Sequence, residues 1–442
     1  MYVRFASFSI GIGLLLYATP VAAAASSMTY NDGHHIISVS VTAHPEWRQT
    51  KRVWLYRGVE AVPPARFKTC GDDDIVDPAA DAKAMAAKGW TWEERTDWNA
   101  DAIKRTIETE VSSKLDRPAG SVIISRNATG SIVFDGIGLT GRKVNATLAA
   151  SLTLKALENS VATVQLPVEE TQPIVDVRDA ELQAMGIREV VTIGESVFTK
   201  SPVNRRHNIQ VGLAKFNGHL IPQGSIFSFV EILGPVTAAT GYRKELVIQG
   251  NETLPDYGGG LCQVSSTAYR GPWEYGMPIV QRKNHSYSVS YYSPQGTDAT
   301  IYPPSVDMKF RNDTPGSLLI QTASDAEDRA FFIYYGTRDA RTSEVTGPYI
   351  YDRIGAPKEE KISYTTDIPV GAKRKAGERH DGMKAIWYRE VTMPGSGAVL
   401  ERYYSAYQAR PLYWQIGVTA EDILKRTSGD LSEMPSWLPS KP

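Results

Sequence analysis

The chain has 442 residues, 42% of them hydrophobic, enough for two or three domains that each bury a core. Its 48 basic and 49 acidic side chains leave a net charge of −1, so no basic face awaits a polyanion and nucleic acid is excluded as an expected partner. Electrostatics do not name a ligand.

Residues 1–25 read as a secretory signal peptide. Arg4 precedes an apolar run from Ile10 to Tyr17, and Pro20-Val21-Ala22-Ala23-Ala24-Ala25 offers small residues for cleavage. The run is short for a membrane span, and no later stretch is apolar for the roughly 18 residues such a span needs. The expectation is an exported protein of the cell envelope with no stable membrane span after cleavage; an uncleaved anchor is the alternative.

The segment 26–96 reads as an α+β unit, with strand alternation at Ile36 to Val41 and at Val53 to Tyr56 and an alanine-rich helix over Ala79 to Ala87. His34-His35 and Asp72-Asp73-Asp74 read as an exposed pair and a solvated loop, so no metal and no cofactor are expected. Over 97–190 the pattern is helix, hairpin, helix, strand. Asp97 or Asn99 caps a helix whose Ile103, Ile107, Val111 and Leu115 share one face. Strands at Ser121 to Ser125 and Gly130 to Phe134 flank a turn, Asn145 caps a helix carrying Leu148, Leu152, Ala156 and Leu157, and Val161 to Val168 is extended. Further on, Ile209, Leu213 and Phe216 mark a helix preceded by the polar residues Asn204, Arg205 and Asn208, which either bind a carboxylate or sugar or cap that helix.

The most informative stretch is Tyr257 to Thr300. Gly258-Gly259-Gly260-Leu261 leads into Cys262, followed by helical spacing that ends near Gly276-Met277-Pro278. A cysteine at a helix start feels unpaired N–H groups, which favour the thiolate. His285 then falls in an alternating run through Tyr292 that reads as a strand, and Asp298 on the next one, after the Pro294-Gln295-Gly296 turn. A cysteine nucleophile needs an imidazole, and the imidazole needs an orienting group. Cys262, His285 and Asp298 supply all three, with Gln263 as a candidate oxyanion donor. Gly259, Gly260 and Ser265 join Asn204, Arg205 and Asn208 as candidate substrate contacts. Two alternatives stay open: a disulfide between Cys70 and Cys262, the chain's two cysteines, and zinc held by Cys262 and His285, which lacks further ligands at close spacing.

The run from Phe198 through Asn204-Arg205-Arg206-His207-Asn208-Ile209, then Asn217-Gly218-His219-Leu220-Ile221-Pro222-Gln223-Gly224, Gly241-Tyr242 and GGGLCQVSSTAYRG, ending near Asp307 to Thr314, resembles the VanW family, named for an accessory protein of glycopeptide-resistance clusters. The preceding 97–190 segment is similar to the peptidoglycan-binding domain that often precedes VanW domains, and 343–420 to the five-glycine β domain of cell-wall proteins. The implied order is signal peptide 1–25, α+β segment 26–96, peptidoglycan-binding-like domain 97–190, VanW-like domain 191–342, β domain 343–420 and tail 421–442. The expected fold is multidomain α+β, its central domain packing a cysteine-bearing helix on an antiparallel sheet. In place of the family's small residues after the cysteine this chain has Arg270-Gly271-Pro272-Trp273, so an early helix break is expected.

The C-terminal third reads as β-rich, with strands at Leu318 to Thr322, Ala330 to Gly336, Lys361 to Thr365, Ala385 to Thr392 and Val399 to Ala406. Tyr403, Tyr404, Tyr407 and Trp414 are candidate sugar-stacking aromatics. The resemblance implies peptidoglycan or its stem peptides as partner. Two functions follow: a cysteine-dependent amide-processing enzyme of transglutaminase- or papain-like acyl transfer, and a non-catalytic peptidoglycan-binding accessory protein in which Cys262 is structural.

Overall fold

A computed structural model of the chain describes residues 26–32, 35–63, 67–68, 75–76, 82–249 and 252–428. The signal-peptide assignment, His34, Cys70, Asp72 to Asp74 and the end of the tail lie outside them. No helix among the described residues is long and apolar enough to cross a membrane. The protein is α+β, with many small sheets and a few helices. Two compact units divide it: the described part of 1–30 with 37–111 and 146–165, and 31–36 with 112–145 and 166 onward. The expected 97–190 segment contributes to both.

In the first unit, Arg48–Tyr56 pairs antiparallel with Trp90–Trp98, setting Trp54 opposite Trp92. Asn99 caps the helix Ala100–Thr106 by accepting from the Ala102 N–H at 3.1 Å, and Ile103, Ile107 and Val111 bury completely. On Ala146–Glu158 the buried face is Ala149, Ala150, Thr153, Ala156 and Leu157. Leu148, expected in the core, is 47% exposed. The stripe of small side chains admits a closer neighbour than leucines would, so the helix turns that face inward.

The second unit is centred on a four-stranded antiparallel sheet in the order Glu189–Val197, Arg329–Gly336, Leu318–Ser324, Leu220–Ile221. The cysteine helix Leu261–Tyr275 lies on the first strand with almost nothing between the two backbones. A Cβ on Gly194 would stand 1.9 Å from the Thr267 carbonyl oxygen, and one on Gly271 2.8 Å from the Gly194 nitrogen. Val264, Ala268, Tyr269 and Trp273 complete the core with Ile209, Phe216, Phe310 and Phe332.

The helix does not break at Pro272. Proline removes the N–H that would bond the Ala268 carbonyl, and Tyr334 supplies the missing donor, its hydroxyl 2.7 Å from that oxygen. The helix ends instead at Gly276, φ 93°, as its glycine predicts. Two expected strands are absent. Residues 282–289 and 297–300 are irregular, and the only regular element between them is a short helical turn at Ser290–Tyr292. Their backbone groups are taken up singly, Thr300 N–H by the Lys283 carbonyl at 2.8 Å and Gln408 N–H by that of Ser286 at 2.7 Å, so no ladder forms.

The C-terminal strands form two sheets, Thr342–Ile354 with Gly382–Thr392 and Ala398–Tyr407, and Glu360–Thr365 with Leu412–Gly417 and Lys373–Gly377. Thr342–Ile354, Lys373–Gly377 and Leu412–Gly417 are strands that the alternation did not reveal.

Candidate active site

Cys262 occupies the first turn of its helix, after Gly260 at φ 114°, a backbone conformation that glycine adopts without strain. It is a free cysteine and keeps part of its surface open. Four and eight residues on, Ser266 and Arg270 lie on the same helical face. Ser266 Oγ donates to the Cys262 carbonyl at 2.7 Å and accepts the Ala299 N–H at 2.9 Å. Arg270, 4% exposed, donates to the carbonyls of Glu195 at 2.8 Å, Tyr292 at 3.1 Å and Ser293 at 2.9 Å. The arginine expected to interrupt the helix therefore fastens the irregular loop to it.

That loop carries the other two members. His285 and Asp298 are 3% and 1% exposed. Asp298 Oδ2 accepts both the main-chain N–H of His285 at 2.7 Å and its ring Nδ1 at 2.6 Å. Oδ1 accepts the Tyr407 hydroxyl at 2.6 Å and Arg282 Nη2 at 3.1 Å. Tyr292 stacks on the imidazole, centroids 4.2 Å apart and planes 13° from parallel. Nε2 is buried without a hydrogen bond of regular geometry. The imidazole and the thiol nonetheless interact strongly enough to shift each other's protonation.

Burial pushes the Cys262 thiol up, but the His285 imidazole, with smaller help from Ile301 and Thr300, more than offsets it, and the net shift is downward. Thr300 Oγ1 lies 3.4 Å from the sulfur. Burial works against the imidazolium too; Asp298 and Cys262 overcome it and raise His285 to about 9. For Asp298, burial opposes ionisation, yet His285 and Arg282 hold the carboxyl well below the usual carboxylate range. The shifts run toward thiolate, imidazolium and carboxylate, the charge pattern of an activated cysteine.

The remaining predicted residues surround this line. Gln263 is fully buried and committed: Oε1 accepts from Arg205 Nη2 at 3.0 Å, and its amide donates to Ser196 Oγ at 2.7 Å. Its side chain braces the helix, with its donors turned to the neighbouring strand. Arg205 also bonds Ser201 Oγ at 2.6 Å and lies 4.0 Å from the Tyr291 ring centroid. Asn208, completely buried, bonds the carbonyls of Arg243 and Gly259 at 2.9 and 3.1 Å and fixes the glycine turn. Gly259 abuts the Leu246 carbonyl and Gly260 packs on Arg205 and Ile209, while Ser265 is buried. Asn204 is the exposed member, reaching the Lys244 carbonyl at 3.2 Å. Sequence reasoning missed Arg282, Tyr292 and Thr300 and took Tyr407 only as a sugar-stacking aromatic; the i, i+4, i+8 spacing of Cys262, Ser266 and Arg270 is a signal that could have tied the helix to the loop. No group of three metal-ligating side chains occurs among the described residues. Of the candidate sugar-stacking aromatics, Tyr404 is 46% exposed, whereas Tyr407 is 6% exposed and bonded to Asp298.

Residues 204–334 match the family described as "VanW like protein". The chain is 36% identical over 124 residues to "Uncharacterized protein YoaR" of Bacillus subtilis (strain 168), covering 28% of this chain and 41% of that protein. It is 30% identical over 129 residues to "Vancomycin B-type resistance protein VanW" of Enterococcus faecalis (strain ATCC 700802 / V583), covering 28% of this chain and 46% of that protein. The match thus spans less than half the length of either relative.

Proposed function

Starting from the VanW-like domain that residues 204–334 constitute, we propose that this protein is a cysteine-dependent acyl-transfer enzyme of the cell envelope that acts on amide bonds of peptidoglycan stem peptides. The observation that carries the reading is the grouping of the partly open Cys262 with the buried His285 and Asp298, the carboxylate 2.6 Å from the imidazole Nδ1. The name of the Enterococcus relative ties that protein to vancomycin resistance, a setting in which the wall peptide is a natural substrate class.

In this mechanism the Cys262 thiolate attacks the carbonyl carbon and pushes its π electrons onto oxygen. The main-chain N–H of Cys262, in the first helical turn, stabilises that oxyanion, a contribution of about 3 kcal/mol for one such donor. Imidazolium His285 protonates the departing amine as the C–N bond breaks, leaving a thioester. Neutral His285 then deprotonates water or an acceptor amine, whose attack regenerates the thiolate and returns the proton to the ring. Asp298 stays ionised throughout and holds the ring.

The test is alkylation of the full chain by iodoacetamide between pH 5 and 10, located by peptide mapping, alongside release of amine from isolated stem peptides. Reactivity at Cys262 persisting below pH 7, and turnover lost in Cys262→Ser, is the expected result. Turnover by Cys262→Ser at the parent rate would end the enzyme reading and leave a wall-binding accessory protein.

A further inference from the structure

The Asp298 carboxylate does more than face its histidine. Its Oδ1 is gripped from a distant part of the chain: Tyr407, at the end of the strand Ala398–Tyr407, donates its hydroxyl at 2.6 Å across a separation of 109 residues. The same hydroxyl accepts the Gly296 N–H at 2.7 Å. Arg282, the second Oδ1 donor, is itself tied to that strand, with Nη1 2.8 Å from Ser405 Oγ, while its Nε and Nη2 bond the carbonyls of Asp298 and Gly296 at 2.7 and 3.0 Å. Tyr407 and Ser405 both lie outside the matched segment 204–334, which holds the cysteine, histidine and aspartate.

Resting on the reading of Cys262 as the nucleophile, we infer that Tyr407 is a positioning residue whose hydroxyl, together with the Arg282–Ser405 pair, locks the Asp298 carboxylate in the orientation that seats His285 against Cys262, so that the strand Ala398–Tyr407 completes the site. A carboxylate turns easily about its last torsion, which has a broad, shallow minimum. With Oδ2 bonded to a loop that has no ladder of its own, the grip on Oδ1 sets the plane. Tyr407 is 6% exposed, so water cannot readily replace the hydroxyl. Burial, then the Asp298 charge, raises its own proton affinity, and it remains a donor across the working range.

The experiment compares alkylation profiles of Cys262 in the full-length parent, Tyr407→Phe, Ser405→Ala and Tyr403→Phe. The last removes a hydroxyl on the same strand that bonds Glu401 at 3.3 Å and touches no member of the relay. In Tyr407→Phe the rise in reactivity moves upward by about one pH unit, a loss of about tenfold at pH 6. Ser405→Ala moves it in the same direction by less, and gives the answer should Tyr407→Phe fail to fold. Tyr403→Phe superposes on the parent. A Tyr407→Phe or Ser405→Ala profile that superposes on a low-pH parent profile, whatever the thermal midpoint does, overturns the inference and leaves the nucleophile reading standing. A parent that reacts only near the ordinary thiol value of about 8.5 sinks both.

Discussion

Pro272 sits inside the cysteine helix because Tyr334 replaces the hydrogen bond that proline deletes, and this makes a quantitative prediction. Tyr334→Phe removes only the hydroxyl that stands 2.7 Å from the Ala268 carbonyl, in a fully buried setting. An acceptor stranded there costs roughly 1–3 kcal/mol. Pro272→Ala restores the N–H that bonds residue 268, so in that background the carbonyl keeps a partner and the same tyrosine change costs roughly 1 kcal/mol less or better. Urea unfolding of the parent, both single variants and the double variant closes the cycle, with free energies compared at a common slope. Equal cost of Tyr334→Phe in both backgrounds would refute the compensation and require another account of how the helix passes Pro272.

Further expectations are equally direct. Asp298→Asn withdraws one of the two partners, Asp298 and Cys262, that against burial raise His285 to about 9. The variant's thiol should then ionise near the ordinary value, with alkylation at pH 6.5 falling at least tenfold, and an unchanged profile would count against the relay. Gly194→Ala places a methyl 1.9 Å from the Thr267 carbonyl oxygen; a loss of several kcal/mol or insoluble protein is expected, while a parent-like thermal midpoint would contradict the backbone contact. His35 is another raised group. Burial lowers it, but Asp32, 3.0 Å from Nδ1, and Glu195, 3.3 Å from Nε2, lift it to about 9. A raised folded value contributes stability that is complete below the unfolded value of about 6.5 and is lost as pH climbs through 9. The parent should therefore lose stability from neutral to alkaline pH, and His35→Gln should flatten that slope.

The members of the candidate relay were legible because their chemistry is carried by residue type and order within a short stretch. Cys262 after three glycines announces a helix start, and His285 with Asp298 follows within one supersecondary distance. Their backbone setting was not legible. Ser286 to Tyr292 alternates as a strand does, yet Tyr287 packs under Arg410, 4.2 Å from its ring centroid, and Tyr292 stacks on His285, so the alternation serves two separate contacts. Arg270 read as a helix interrupter because its partners are carbonyls of a loop more than twenty residues away. Tyr407 was seen only as an aromatic on a strand. Local pattern carries no information about a bond that closes over such a span, and the same holds for Tyr334 beneath Pro272.

The contact of Gly194 and Gly271 also bears on motion. Where two elements meet through side chains, rotamer changes let one roll over the other; here main chain touches main chain, and no interleaved layer exists to rearrange. The thiol-bearing segment is thereby denied small rocking movements and acts as a fixed anvil. On the proposed acyl-transfer reading, accommodation of differently shaped substrates falls to the elements around it, such as the paired strands Lys244–Gln249 and Glu252–Tyr257 that lead into the glycine turn.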